Sequence, residues 1–215
     1  MPRVLPMSSI VSRFTICLVT GDRGNEPAVL DLIASAVDGG VDLIQIRERR
    51  LDDRALFRVT SKAVECAGRT GSRILVNDRA DVAIAAGAAG VHLRSNSFAA
   101  SRLRSVAPPG FLIGRSVHTR EEAIAAERDG SDYVVFGTVF ASSSKPLNHK
   151  AAGLDALREL VGSVRLPVLA IGGISLGNAA EVAQTGASGI AAISLFEDRT
   201  SIPNTVAELR RPFDT

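Results

Sequence analysis

The chain of 215 residues has room for one ordinary domain, and its 46% hydrophobic and 22% charged residues are the proportions of a folded soluble protein; a mainly disordered chain and a collagen-like repeat are excluded. Its 25 basic and 23 acidic residues leave a formal charge of only +2, which argues against a nucleic-acid binder built on a basic face and against a polybasic membrane anchor. With 8 Phe, 1 Tyr and no Trp there is little to build a base-stacking platform from, whereas 19 Gly let backbone come close to a ligand.

Residues 1–13 read as an N-terminal extension: Pro6, Ser8 and Ser9 interrupt any apolar run, so no secretory signal is expected, and no later run reaches the roughly 18 apolar residues of a membrane span. A cytoplasmic location follows as an expectation. From residue 14 onward, short β-branched runs alternate with Ala-rich stretches of helical period. Strands are predicted at 14–20, 42–47, 73–77, 90–93, 111–116, 133–137, 167–171 and 189–194. Helices are predicted at 26–38, 51–70, 79–86, 98–106, 120–129, 153–161, 177–185 and 202–211. Eight such units, at about 27 residues each, predict a single-domain α/β fold, a compact (β/α)8 TIM barrel over residues 14–215. The rival open doubly wound sheet lacks a G-x-G-x-x-G after its first strand. Asp52–Asp53 and Thr119, with Glu121 and Glu122, suit helix starts, and Gly39–Gly40, Gly87, Gly130 and Gly186 suit helix C-termini. Cys17 and Cys66 show neither a disulfide framework nor metal-ligand spacing and read as buried free thiols.

In such a barrel the site lies at the C-terminal ends of the strands. Strand two ends in Gln45, Arg47 and Arg49, which a period of two puts on one face with Glu48 on the other. Guanidiniums there suit a polyanionic leaving group. Strand three ends in Asn77-Asp78; Asp78 is a candidate Mg2+ ligand, though a lone Asp before a helix is equally a cap. Strand four runs to His92, Arg94 and Ser97, and strand five to Ser116 and His118. The histidines have no visible ligand spacing and read more readily as core or supporting groups than as metal ligands. Strand six leads to Thr138 and a loop with Ser142, Ser143, Ser144 and Lys145, whose hydroxyls and ammonium could grip a pyrophosphate or form an ordinary solvated loop. Gly172-Gly173 after strand seven and Ser194 after strand eight could cradle a phosphate; a tight turn needing positive φ would also explain the glycines. His149 beside Lys150 reads as solvent-facing. Arg47, Arg49, Arg94, Arg115 and Lys145 all fall at the predicted mouth, so a nearly neutral chain is expected to be cationic where it binds.

Taken together, Leu43-Ile44-Gln45-Ile46-Arg47-Glu48, Val76-Asn77-Asp78-Arg79-Ala80-Asp81, Gly90-Val91-His92-Leu93, Ser116-Val117-His118-Thr119, Phe136-Gly137-Thr138-Val139-Phe140, Lys145-Pro146 and Ala170-Ile171-Gly172-Gly173-Ile174 make the chain resemble the thiamine phosphate synthase and TenI (thiazole tautomerase) superfamily over nearly its whole length. The resemblance implies thiamine biosynthesis, with phosphorylated pyrimidine and thiazole substrates and a homo-oligomer, and no nucleic-acid or membrane partner. Synthase-type transfer of the pyrimidine from its pyrophosphate to the thiazole phosphate is the first expectation. It implies Gln45, Arg47, Arg49, Asn77 and Ser116 at the pyrimidine pyrophosphate, Ser142, Ser144 and Lys145 gripping the pyrophosphate, and Gly172, Gly173, Ile193 and Ser194 at the thiazole phosphate. Arg47, Lys145 and His118 are the expected catalytic groups, and Asp78 the Mg2+ ligand.

The chain also departs from the synthase pattern. It reads Arg94-Ser95-Asn96-Ser97 where synthases usually have Gly-Gln-Glu-Asp, so Ser97 replaces a second Mg2+ carboxylate, and Arg49 replaces a lysine. TenI-type tautomerisation of a thiazole carboxylate phosphate is the alternative; its histidine base falls at Thr138, leaving His118 or a water. A non-catalytic thiazole or thiamine phosphate-binding regulatory protein is the second alternative.

Overall fold

The structure is a computed structural model that describes residues 15–68, 70–142 and 150–213. Each predicted apolar run is a strand: β1 (Thr15–Val19), β2 (Leu43–Ile46), β3 (Arg73–Asn77), β4 (Gly90–Leu93), β5 (Leu112–Val117), β6 (Tyr133–Gly137), β7 (Val168–Ile171) and β8 (Gly189–Ala192). They pair in parallel and in chain order, and β1 closes on β8 with Thr15 opposite Gly189 and Leu18 opposite Ala192. Because side chains alternate along a strand, one face of each run fills the lumen and the other meets the helices. Cys17, Val19, Leu43, Leu75, Leu112, Tyr133 and Leu169 form the inner cluster, while Ile16, Leu18, Ile44 and Ile74 pack into the larger outer one. The barrel is a packed core with no pore, so a ligand has access only at its rims.

The eight predicted helices are α1 (Glu26–Asp38), α2 (Asp53–Ala67), α3 (Ala80–Ala85), α4 (Ala100–Arg104), α5 (Arg120–Arg128), α6 (Gly153–Val161), α7 (Ala179–Ala183) and α8 (Ile202–Arg210). Asp52 caps α2 through Ala55 N at 2.8 Å, and Thr119 caps α5 through Glu122 N at 3.2 Å, as their residue types suggest. Six of them are shorter than predicted, α2, α4 and α7 by four or five residues, and for α7 and α4 the reason is visible. Ahead of α7, the Asn178 side chain is committed to Ser175 N and Gly173 O, which shapes a turn there. In front of α4 the chain is drawn into a loop, and the helix is capped from a distance by Asp129, whose Oδ2 accepts from Ala100 N at 2.5 Å.

Cys17 lies fully buried in the lumen and Cys66 is half-buried, both as free thiols. Burial, with help from Asp42, pushes the Cys17 thiol up to about 12, so it is inert. Among the described residues no helix is long and apolar enough to cross a membrane.

Candidate active site

Every βα turn places polar residues at one rim. At the β1–β2 corner, Thr20 Oγ1 accepts from Arg47 N at 2.8 Å, which fixes the backbone from which Arg47 projects. Arg47 is half-buried, and burial together with neighbouring Arg49 pushes its pKa below the usual arginine value; it remains cationic at neutral pH because a guanidinium starts so high. Inside the rim, Gln45 is buried and donates from Nε2 to Asn77 Oδ1 at 3.0 Å. The pair keeps one amide oxygen and one amide NH2 without a hydrogen-bond partner among the described residues, a donor and an acceptor side by side.

Two aspartates repeat one device. Asp22 and Asp78 are the non-glycine residues with positive φ among the described ones, at 62° and 58°, a region that Asp adopts more readily than most residues. Each follows an odd-numbered strand and clamps an arginine from the loop after the next one. Asp22 Oδ1 accepts from Arg49 N at 2.8 Å and Arg50 N at 3.2 Å, and its Oδ2 accepts from Arg49 Nε at 3.2 Å. Asp78 Oδ2 accepts from Arg94 Nε at 2.7 Å with Arg94 Nη2 at 2.6 Å, and Asp78 Oδ1 accepts from the Ser97 hydroxyl. Arg49 and Arg94 are nevertheless 66% and 62% exposed, so each keeps a free edge for an anion. Arg49 thus faces its acid partner at the rim; strand alternation had stacked it with Gln45, but β2 ends at Ile46. Glu48, on the opposite face, is buried and accepts from Gly24 N at 3.0 Å, which ties the β1 and β2 loops together.

A buried hydrogen-bonded line runs up from the lumen. Tyr133 Oη lies 3.1 Å from His92 Nδ1, and His92 Nε2 lies 2.9 Å from Ser116 Oγ. Burial, reinforced by Arg115, pushes His92 down to about 4, so the ring is neutral at physiological pH and orients the Ser116 hydroxyl. His92 is a supporting core histidine, as its apolar setting suggests. His118 stands at the exposed rim. Its Nδ1 lies 2.7 Å from Gly137 O, and because a carbonyl only accepts, Nδ1 carries a proton; in the neutral ring the lone pair is then on Nε2.

The glycine turn after β7 has φ of +99° at Gly172 and +64° at Gly173. A Cβ on Gly172 would lie 2.9 Å from Thr138 Cα, so only glycine fits so close to the β6 loop. Asn178 holds the Gly173 carbonyl, while the Gly173 N–H has no hydrogen-bond partner among the described residues. From β8, Ile193 precedes a short 3-10 turn, Ser194–Phe196, with Ser194 exposed. Backbone N–H groups from the two loops therefore share the β7–β8 corner where barrels bind phosphate. Ser142 is half-buried at the β6 end; Ser143, Ser144, Lys145 and His149 lie outside the described residues.

Arg115, expected among the rim cations, is 8% exposed. It faces away from the lumen and donates to the carbonyls of Arg94, Ser95 and Ser97 at 3.3, 3.4 and 3.3 Å and of Phe98 at 2.5 Å. Strand period two predicts as much, since Leu112, Gly114 and Ser116 face inward. Thr20 and Asp22 are the site residues that sequence reasoning passed over; their position directly after β1 was the available signal.

A thiamine monophosphate synthase family model matches residues 16–196. The chain is 42% identical over 180 residues to the thiamine-phosphate synthase of Methanoculleus marisnigri, covering 84% of this chain and 85% of that protein. It is 37% identical over 179 residues to that of Chlorobium luteolum, covering 83% of each. Among solved structures, thiamine phosphate pyrophosphorylase from Pyrococcus furiosus superposes with a TM-score of 0.81 at 33% identity, over 93% of this chain and 96% of that one. A 3-hexulose-6-phosphate synthase at 16% identity and a TM-score of 0.71 shares the fold alone. With a family model over most of its length and relatives above one-third identity, the chain belongs to the thiamine monophosphate synthase family.

Proposed function

We propose that the chain is a thiamine-phosphate synthase that joins a hydroxymethylpyrimidine diphosphate to a thiazole phosphate. The bond from the pyrimidine methylene carbon to the diphosphate oxygen breaks with its electron pair passing to oxygen. The thiazole nitrogen lone pair forms the new C–N bond, giving the thiazolium and free diphosphate. No proton moves in either bond change, so the catalytic burden is negative charge growing on the leaving group. The observation that carries this reading is one rim with fixed guanidiniums at the β2–β4 ends and a glycine phosphate turn across it at β7–β8. Preorganised donors aimed at developing charge are the largest single source of rate in such a step. Gln45 and Asn77, with a free acceptor and a free donor, suit an aminopyrimidine edge. Arg47, Arg49 and Ser116 suit the diphosphate, and the family resemblance assigns Ser142, Ser144 and Lys145 to it as well. Gly172, Gly173, Ile193 and Ser194 suit the thiazole phosphate. The reading includes a barrel over residues 14–215 preceded by an extension, in a homo-oligomer located in the cytoplasm.

Synthases of this family generally depend on Mg2+, and Asp78 is the residue that would hold it here. The donor set of the free protein does not fit a resident ion: both oxygens of Asp78 are engaged, by Arg94 and Ser97. No step is therefore assigned to a metal.

A tautomerase reading rests on His118, whose free Nε2 could move a proton. The deciding experiment incubates pure protein with both synthase substrates and, separately, with the thiazole carboxylate phosphate tautomer alone. Diphosphate release with thiamine phosphate formation in the first supports transfer; turnover only in the second replaces it with tautomerisation; ligand binding without turnover leaves the regulatory reading.

A further inference from the structure

The β4–α4 loop has more engineering than a substrate rim requires. Arg115 is buried beneath it and ties down four of its carbonyls. Above, Ser97 Oγ accepts from Arg94 N at 3.1 Å and donates to Asp78 Oδ1. One hydroxyl thus bridges the arginine's backbone to the aspartate that grips its side chain. Arg94 presents Nε and Nη2 to Asp78 and leaves Nη1 without a hydrogen-bond partner among the described residues. Its position on the loop, its side chain and its outward edge are all determined.

Asp78 follows directly on Asn77, the partner of Gln45, so this edge belongs to the same part of the rim as the amide pair. An aspartate in place of Ser97 would lose the donor to Asp78 and set two carboxylates against each other, a repulsion that a shared proton or a divalent cation between them relieves. A serine there removes that repulsion and locks a guanidinium onto the remaining carboxylate. Because a guanidinium is permanently charged and offers planar donors to phosphate oxygens, it supplies on the protein what a bound ion supplies elsewhere.

We propose that Arg94 is a built-in cation of the diphosphate subsite, held by Asp78, Ser97 and Arg115, and that it makes diphosphate binding by this chain independent of a divalent metal. The ligand class is a diphosphate ester or free diphosphate. This inference rests on the transferase reading for its role in turnover, but not for binding itself.

The test is titration calorimetry of the full chain with inorganic diphosphate, in chelator and in millimolar MgCl2, on wild type, Arg94→Gln and Arg94→Gly/Ser97→Asp, with circular dichroism confirming that each variant is folded. Wild type is expected to bind within threefold equally in both conditions. Arg94→Gln should bind at least tenfold more weakly in chelator. The double variant should recover binding only with Mg2+, and should bind Mn2+ by itself in an electron paramagnetic resonance titration where wild type does not. Wild-type binding that requires Mg2+, or unchanged binding by Arg94→Gln, overturns the proposal. If Arg94→Gln is misfolded, Arg94→Lys is used, which keeps charge but loses the fork and should weaken binding at least threefold; unchanged binding is then the overturning result. Parallel turnover assays keep the two readings apart: no transfer by wild type under any condition defeats the transferase reading while leaving the binding result to stand or fall alone.

Discussion

A guanidinium meant to meet a phosphate must be held still and yet keep one edge free. Asp22 meets both needs for Arg49 while also accepting two backbone amides, so its removal disturbs loop and cation together. Asp22→Ala is expected to lower stability by about 1–3 kcal/mol, since hydrogen bonds to a charged group and newly unpaired donors are both involved, and to reduce kcat/KM for the diphosphate substrate. Asp22→Asn keeps an acceptor for the amides and loses only the ion pair, so it should recover most of the stability in urea unfolding and less of the activity. A second residue-scale consequence concerns His92, which is held neutral by burial with its pKa at about 4. Between the unfolded value of about 6.5 and 4, the unfolded chain binds a proton that the folded chain refuses, so stability falls as pH falls through that window. The loss from this one ring should be about 2 kcal/mol between pH 7 and 4.5. Denaturant unfolding at the two pH values checks it: His92→Gln should flatten the difference by that amount, and an unchanged slope would remove His92 from the acid response.

At the scale of elements, β5 and β6 fit because Gly114 yields its side-chain space to the Tyr133 ring, which a Cβ at 114 would overlap. Gly114→Ala should destabilise by about 1–3 kcal/mol as an overpacked core position. In a Tyr133→Leu background the penalty should shrink, because the two changes share one volume; equal penalties in both backgrounds would show that the strain lies elsewhere. This pair also marks the boundary of what a sequence reading reaches. The eight strands and helices were legible because each apolar run has its own period and several helices end in a turn glycine, at Gly39–Gly40, Gly87, Gly130 and Gly186, all local signals. The amide, arginine and glycine candidates were legible because the fold gathers strand ends at one rim. Partnerships across units were not: nothing near position 114 names Tyr133, and nothing near Ala100 names Asp129 as its cap. Arg115 was placed among the rim cations by its position after an apolar run, when the alternation of its own strand turns it beneath the loop. Ser97 reads in sequence as the loss of a metal carboxylate, and only the contacts of Arg94 and Ser97 with Asp78 support the reading of Arg94 as its replacement.

For the whole molecule, a formal charge of +2 says little about the field a substrate meets, since the parallel barrel sorts residues by strand end. Arg47, Arg49 and Arg94 collect at the C-terminal rim, while Arg158, in the last turn of α6 and paired with Asp155, sits near the opposite rim because the helices run back against the strands. Attraction of a diphosphate should therefore depend on where a charge lies and not on the total. The Debye length shortens from about 30 Å at 0.01 M salt to about 10 Å at 0.1 M, so kcat/KM for the diphosphate substrate should fall several-fold over that range. Arg49→Gln and Arg158→Gln remove the same single charge. The first should lower kcat/KM and make it less sensitive to salt, as expected when a steering charge is lost, and the second should match wild type in both respects. Measuring the salt dependence of kcat/KM for the three proteins decides the matter: equal slopes for the two variants would mean that net charge governs association, and that the cationic rim acts only once the substrate is bound.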